Sequence, residues 1–153
     1  MMIQLLVGSC VSIINIIIHA LATVAAVSIA RWTGLNDTRR PRLFLMGVMV
    51  ATVLMLMLAH TIEIVVWSLS YAAVGAAPEG SDLLYFAFVN YTTLGYGDVI
   101  PVKEWRLFGP MAAMNGILMF GWSTAVLFEV LLRTIEHLGP NALGKAFSAG
   151  DRS

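Results

Sequence analysis

The chain has 153 residues, 59% of them hydrophobic and only 12% charged, with a mean hydropathy of +0.83. A soluble domain is about 45–50% apolar, so this composition excludes a water-soluble core and indicates an integral membrane protein. Nine basic and nine acidic residues cancel to zero net charge, and nothing in their pattern suggests nucleic-acid binding.

Three apolar runs reach the ~20 residues that a bilayer requires: residues 3–30, 43–74 and 107–132. The second is long enough to need tilt. In the first run, Gln4, Ser9, Ser12, Asn15, His19 and Thr23 fall within an arc of roughly 140° at 100° per residue. That face is expected to pack against protein through interhelical hydrogen bonds, with proton sensing by His19 as the alternative. Ala20-Leu21-Ala22 has the form of a leader cleavage site. However, the run opens without a side-chain cation, and Asn15 and His19 interrupt its apolar stretch, so it reads as a retained helix. Cys10 has no second cysteine to pair with.

Arg31, Arg39, Arg40 and Arg42 separate the first two runs, and Arg133, Lys145 and Arg152 follow the third. Lys103 and Arg106 alone lie on the other side. The positive-inside rule therefore predicts residues 31–42 and the C-terminus in the cytoplasm, with the N-terminus and residues 75–106 outside. Within the second run, His60 and Glu63 stand one turn apart. An ionisable group there is functional by default. Three readings remain: Glu63 protonated or paired and braced by His60, a pair coupling external pH to activity, or half of a metal site lacking its further ligands.

Pro78-Glu79-Gly80 breaks the helix and Ser81-Asp82 offers an N-cap. The helix expected over 82–92 rises only about 16 Å, too short to cross. It is predicted to enter the membrane and return, which requires protein or a water-filled cavity around it and hence partners about a central axis. Its C-terminal dipole end favours a cation at the membrane centre. The residues that follow, Thr92-Thr93-Leu94-Gly95-Tyr96-Gly97-Asp98, read as a potassium-selectivity filter. Backbone carbonyls in single file replace the water shell of K⁺ if consecutive peptides face one pore. Gly95 and Gly97 supply the φ > 0 conformations this needs, and the Thr93 hydroxyl adds oxygens at the cytoplasmic end.

The stretch Tyr85-Phe86-Ala87-Phe88-Val89-Asn90-Tyr91 through that heptapeptide to Val99-Ile100-Pro101 resembles the pore domain of the potassium channel family. It is most similar to pore loops of two-pore-domain and small prokaryotic members, over roughly residues 43–132. The resemblance implies that Thr93, Leu94, Gly95, Tyr96 and Gly97 line the filter, that K⁺ sits at Thr93, Leu94, Gly95 and Tyr96, and that four chains surround one pore. It also places Gly116, in Gly116-Ile117-Leu118-Met119-Phe120-Gly121, where family members carry a glycine hinge, although close packing explains such a glycine equally well. Ile117, Phe120, Thr124 and Phe128 share one helix face, which by resemblance lines the cavity below the filter. Asp98 then sets negative charge at the outer mouth. Leu94 replaces the commoner valine, Tyr85-Phe86 replace two tryptophans with fewer groups to brace Tyr96, and Asn90 stands where threonine is frequent.

Glu129 and Arg133 are spaced as a helix ion pair, and Trp32 and Trp105 fit the two interfaces. No arginine-repeating helix, zinc pattern, nucleotide-binding glycine motif or nucleophile elbow is present. The 16 residues 138–153 begin near Gly139-Pro140 and are too few for a ligand-binding domain.

The expectation is an all-α membrane protein of three spanning helices, a re-entrant pore helix and a filter, assembled as a homotetramer in the cell membrane. Its parts are an additional helix (1–30), a basic loop (31–42), a pore domain (43–135) and a short tail (136–153). It is expected to pass K⁺ without a cofactor and without enzymatic activity, in contact with lipid and its own copies. A weakly selective cation channel and a filter-bearing subunit of a potassium uptake system are the alternatives. An intramembrane enzyme built on His60 and Glu63 lacks a complete catalytic constellation.

Overall fold

The computed structural model describes residues 1–33 and 40–138, the side chains of residues 30–33 excepted. It is all-helical: α1 (Met2–Thr33), α2 (Pro41–Val74), α3 (Leu83–Tyr91), a 3-10 turn at Lys103–Trp105, and α4 (Phe108–Leu138), with no strand among the described residues. Met2–Ile29, Pro41–Val74 and Lys103–Leu138 are each long and apolar enough to cross a membrane. Large apolar side chains such as Ile17, Leu54, Leu58 and Leu118 point outward from the bundle. That is the inverse of a soluble protein and the surface lipid requires. The predicted Trp32 anchor, Arg31 and Arg39, and Lys145, Arg152 and Gly139-Pro140 of the tail lie outside the described residues or side chains.

Helix ends follow local chemistry, and they move two predicted boundaries. α2 begins inside the expected 31–42 loop because Pro41 occupies its first turn, where a missing N–H costs nothing. α4 continues six residues past 132, to Leu138. Gly75, at φ 62°, ends α2; its N–H reaches the Ala72 carbonyl at 3.4 Å, and that of Ala76 reaches Tyr71 at 2.9 Å. Asp82 caps α3 by accepting from Leu84 N–H at 3.1 Å and Tyr85 N–H at 3.0 Å. At 34 residues α2 is about 51 Å long, more than a ~30 Å hydrocarbon core, which agrees with the expected tilt.

α1 packs along both α2 and α4. Its buried seam runs Gln4, Gly8, Val11, Asn15, His19 and Ala26, a spacing of threes and fours that keeps one stripe facing its neighbours. Ser12 and Thr23 are half-buried on that seam's flank. Ser9 is exposed, so the predicted polar arc is narrower than 140°: one residue beyond Gly8, it turns about 100° away from the seam.

Two apolar clusters hold the bundle. Near α3, Trp67, Tyr71, Phe86 and Phe108 pack ring against ring at centroid distances of 5.0 to 6.0 Å, within the favourable aromatic range. At the other end, Ala26, Val48, Leu56, Val126 and Val130 join α1, α2 and α4.

Candidate functional site

The segment after α3 has an alternating backbone. Thr93, Gly95 and Gly97 have φ of 62°, 58° and 78°, while Leu94 and Tyr96 remain in the ordinary negative range. Thr93 is the one non-glycine residue with positive φ among the described residues, and for a β-branched residue that conformation is an outlier. It costs on the order of 1–2 kcal/mol and persists only where surroundings enforce it. Some of that enforcement is visible. Thr93 N–H bonds Asn90 O at 3.0 Å, and both Leu94 N–H (2.9 Å) and Gly95 N–H (3.3 Å) converge on Val89 O. Residues 92–98 are all exposed on the single chain.

A brace holds the far end of this segment. The Tyr85 hydroxyl donates to Asp98 Oδ2 at 2.7 Å, and Asp98 Oδ1 accepts from Val99 N–H at 3.1 Å. This bond, the largest influence on Tyr85, raises its phenol above the ordinary value, because ionisation would set two negative charges together. The hydroxyl of Tyr85 thus reaches Asp98, two residues beyond Tyr96. Phe86 instead turns inward onto Tyr71.

Behind α3 lies a buried polar cluster drawn from all four helices. Glu63 (0% exposed) faces His19 Nδ1 through Oε1 at 2.9 Å and His60 Nδ1 through Oε2 at 3.2 Å. The Tyr91 hydroxyl also donates to Glu63 Oε2 and lies 3.1 Å from His60 Nδ1. On the opposite edge of both rings, Ser123 Oγ is 2.8 Å from His60 Nε2 and 3.3 Å from His19 Nε2. One layer away, Asn115 Oδ1 accepts from Asn15 Nδ2 at 2.9 Å and Trp67 Nε1 at 3.1 Å. Asn15 Nδ2 also reaches Glu63 O at 3.3 Å. The pairing of His60 with Glu63 and the inward face of His19 were legible in the sequence. Their union, and the parts of Tyr91, Ser123 and Asn115, were not. The usable signal was that each ionisable residue inside a span must find a partner.

The α4 residues divide. Ile117, Phe120, Thr124 and Phe128 are exposed along one face of the single chain, whereas Gly116 is buried. A Cβ on Gly116 would stand 2.0 Å from the Tyr91 carbonyl oxygen, while around Gly121 there is nothing within 4 Å. Gly116 therefore serves close approach between α4 and the end of α3. Phe120 touches both His60 and Tyr91, at ring distances of 4.6 and 5.6 Å. Glu129 and Arg133 form the expected exposed ion pair, and Trp105 packs on Phe108 at 4.8 Å.

Residues 45–133, from early α2 to late α4, match the family model described as ion channel. The chain belongs to the ion channel family. Over 67 residues it is 36% identical to the voltage-gated potassium channel Kch of Escherichia coli (strain K12). That stretch is 41% of this chain and 16% of Kch, so the likeness covers a small part of the longer protein. No solved structure matches the chain. The family region contains α3, the 92–98 segment, His60, Glu63 and Ser123, but α1 with His19 lies outside it.

Proposed function

We propose that four copies of this chain enclose a central pore that conducts K⁺ passively and selectively. The alternation of positive φ at Thr93, Gly95 and Gly97 carries this reading. Alternate left-handed residues turn successive peptides so that carbonyls gather on one side, the arrangement that replaces the water shell of K⁺. The carbonyls of Thr93, Leu94, Gly95 and Tyr96, with the Thr93 hydroxyl, then hold the ion; Gly97 closes the row and Asp98 places negative charge at the outer mouth. The naming of the Escherichia coli relative as a potassium channel points the same way.

Two features support assembly. α3 has nine residues and rises about 13 Å, too little to cross, so it enters and returns. Non-helical backbone at membrane depth is tolerated only against protein or water, and residues 92–98 are open on the single chain. Neighbouring copies complete the surroundings. Ile117, Phe120, Thr124 and Phe128 line the cavity beneath, with residues 43–135 as the pore domain and residues 1–30 as an added helix. Residues 31–42 and 136–153 face the cytoplasm, by the distribution of arginine and lysine, and no cofactor takes part. Purified protein in planar bilayers tests this through bi-ionic reversal potentials. A strongly K⁺-favouring reversal is expected. A value near zero with K⁺ opposed to Na⁺ overturns selectivity, and a monomer in mild detergent overturns assembly.

A further inference from the structure

We propose that His19, His60 and Glu63 form a binding site for a divalent transition-metal ion of the zinc class, joining α1 to the channel module. Two imidazoles and one carboxylate are a donor set for zinc-like ions, whereas Mg²⁺ and Ca²⁺ prefer all-oxygen surroundings. The ligand atoms of the three residues lie within 4.8 Å of one another. Neighbouring ligands of a tetrahedral zinc stand about 3.3 Å apart, given Zn–N and Zn–O lengths near 2.0–2.1 Å. Here His19 Nδ1 to Glu63 Oε1 is 2.9 Å, His60 Nδ1 to Glu63 Oε2 is 3.2 Å, and His60 Nδ1 to the Tyr91 hydroxyl is 3.1 Å. An ion between Glu63 and each imidazole opens these contacts by only a few tenths of an ångström; the Tyr91 hydroxyl, closer than that to Glu63 Oε2, must draw back before it serves as a fourth ligand.

The hydrogen count leaves room for one added cation at this position. If both imidazoles are neutral and point Nδ1–H at Glu63, both Nε2 lone pairs meet Ser123, whose hydroxyl carries one proton. One ring nitrogen is then unmatched inside the protein. With an ion on the Nδ1 side, each Nε2–H donates to Ser123 Oγ, at 2.8 and 3.3 Å, and that oxygen has two lone pairs to accept them. Metal-bound histidines regularly donate their second N–H to such a partner. Glu63 supplies the negative charge that a buried cation needs, and His60, 12% exposed where its partners are 0%, is the side of entry. One extra proton would satisfy the same atoms, and the test separates the two occupants.

Purified full-length protein, stripped by chelator in mild detergent, is titrated with Co²⁺ as a visible-absorbing substitute for Zn²⁺. The expected result is one Co²⁺ per chain with the intense absorption of a four-coordinate ion, displaced by added Zn²⁺. His19→Asn is expected to weaken binding at least tenfold, and Ser123→Ala about 10–100-fold, the range for loss of a partner behind a ligand. Helical circular dichroism is recorded on each sample; should His19→Asn not fold, Ser123→Ala, which removes only a hydroxyl, decides. Folded wild type that shows no four-coordinate cobalt spectrum overturns the site. A folded variant that binds as wild type also overturns it. The readout involves no ion flux, so it stands or falls separately from the pore.

Discussion

Replacing Gly116 by alanine tests the contact that joins α4 to the end of α3. The new Cβ would lie 2.0 Å from the Tyr91 carbonyl oxygen, 3.0 Å from its carbon and 3.2 Å from Tyr91 Cδ1. Carbon-to-oxygen approach stops near 3.3 Å, so about 1.3 Å must be found. The obstructing atom is backbone at the last turn of α3, with its own side chain tied to Glu63, and no rotamer change relieves it. Overpacking of this kind costs about 1–3 kcal/mol; the better helix propensity of alanine returns up to ~1 kcal/mol, leaving a net loss of roughly 1–2 kcal/mol. Because Tyr91 is two residues before Thr93, the displacement also reaches the alternating segment and should lower K⁺ over Na⁺ selectivity. Gly121→Ala is the control, since its Cβ meets nothing within 4 Å; it should match wild type or exceed it slightly. Unfolding of detergent-solubilised protein followed by helical circular dichroism measures the stability, and reversal potentials measure the selectivity. A Gly116→Ala protein equal to wild type in both, or a Gly121→Ala loss as large as that of Gly116→Ala, would refute close packing as the role of Gly116.

Gly95→Ala should leave folding intact, because the Cβ finds only Thr93 O at 3.9 Å. A φ of 58° strains alanine by about 1–2 kcal/mol, and the resulting turn of a carbonyl is expected to abolish selective conduction; wild-type reversal potentials in this variant would remove residues 93–97 from the pathway. Asn115→Leu takes the acceptor from Trp67 Nε1 and Asn15 Nδ2 and should destabilise the bundle by about 2 kcal/mol, read as a lowered denaturant midpoint; an unchanged midpoint would mean that these two bonds add nothing to stability. Tyr85→Phe removes the bond to Asp98 and should reduce selectivity without altering helical content, so equal selectivity in the two proteins counts against the brace. Since that bond raises the phenol, its contribution is present below the ordinary tyrosine value of about 10 and is lost as pH rises through the raised one. Wild type should therefore approach the Tyr85→Phe behaviour only at strongly alkaline pH.

The three spans, the short α3 and the glycines at 95 and 97 were all present in the sequence, because each depends on neighbours within a few residues. Apolarity summed over ~20 positions decides burial in lipid, Asp82 caps a helix by reaching two residues along its own chain, and a missing Cβ is a property of one residue. Other features depended on how helices meet. His19 and Glu63 are 44 positions apart, and neither shows which turn of α1 lies opposite which turn of α2. The exposure of Ser9 and the carbonyl against Gly116 likewise follow from packing. Helical periodicity states which residues share a face; the register and rotation of that face against its neighbours are set by the sum of many small contacts across the bundle, and only the folded chain contains that sum.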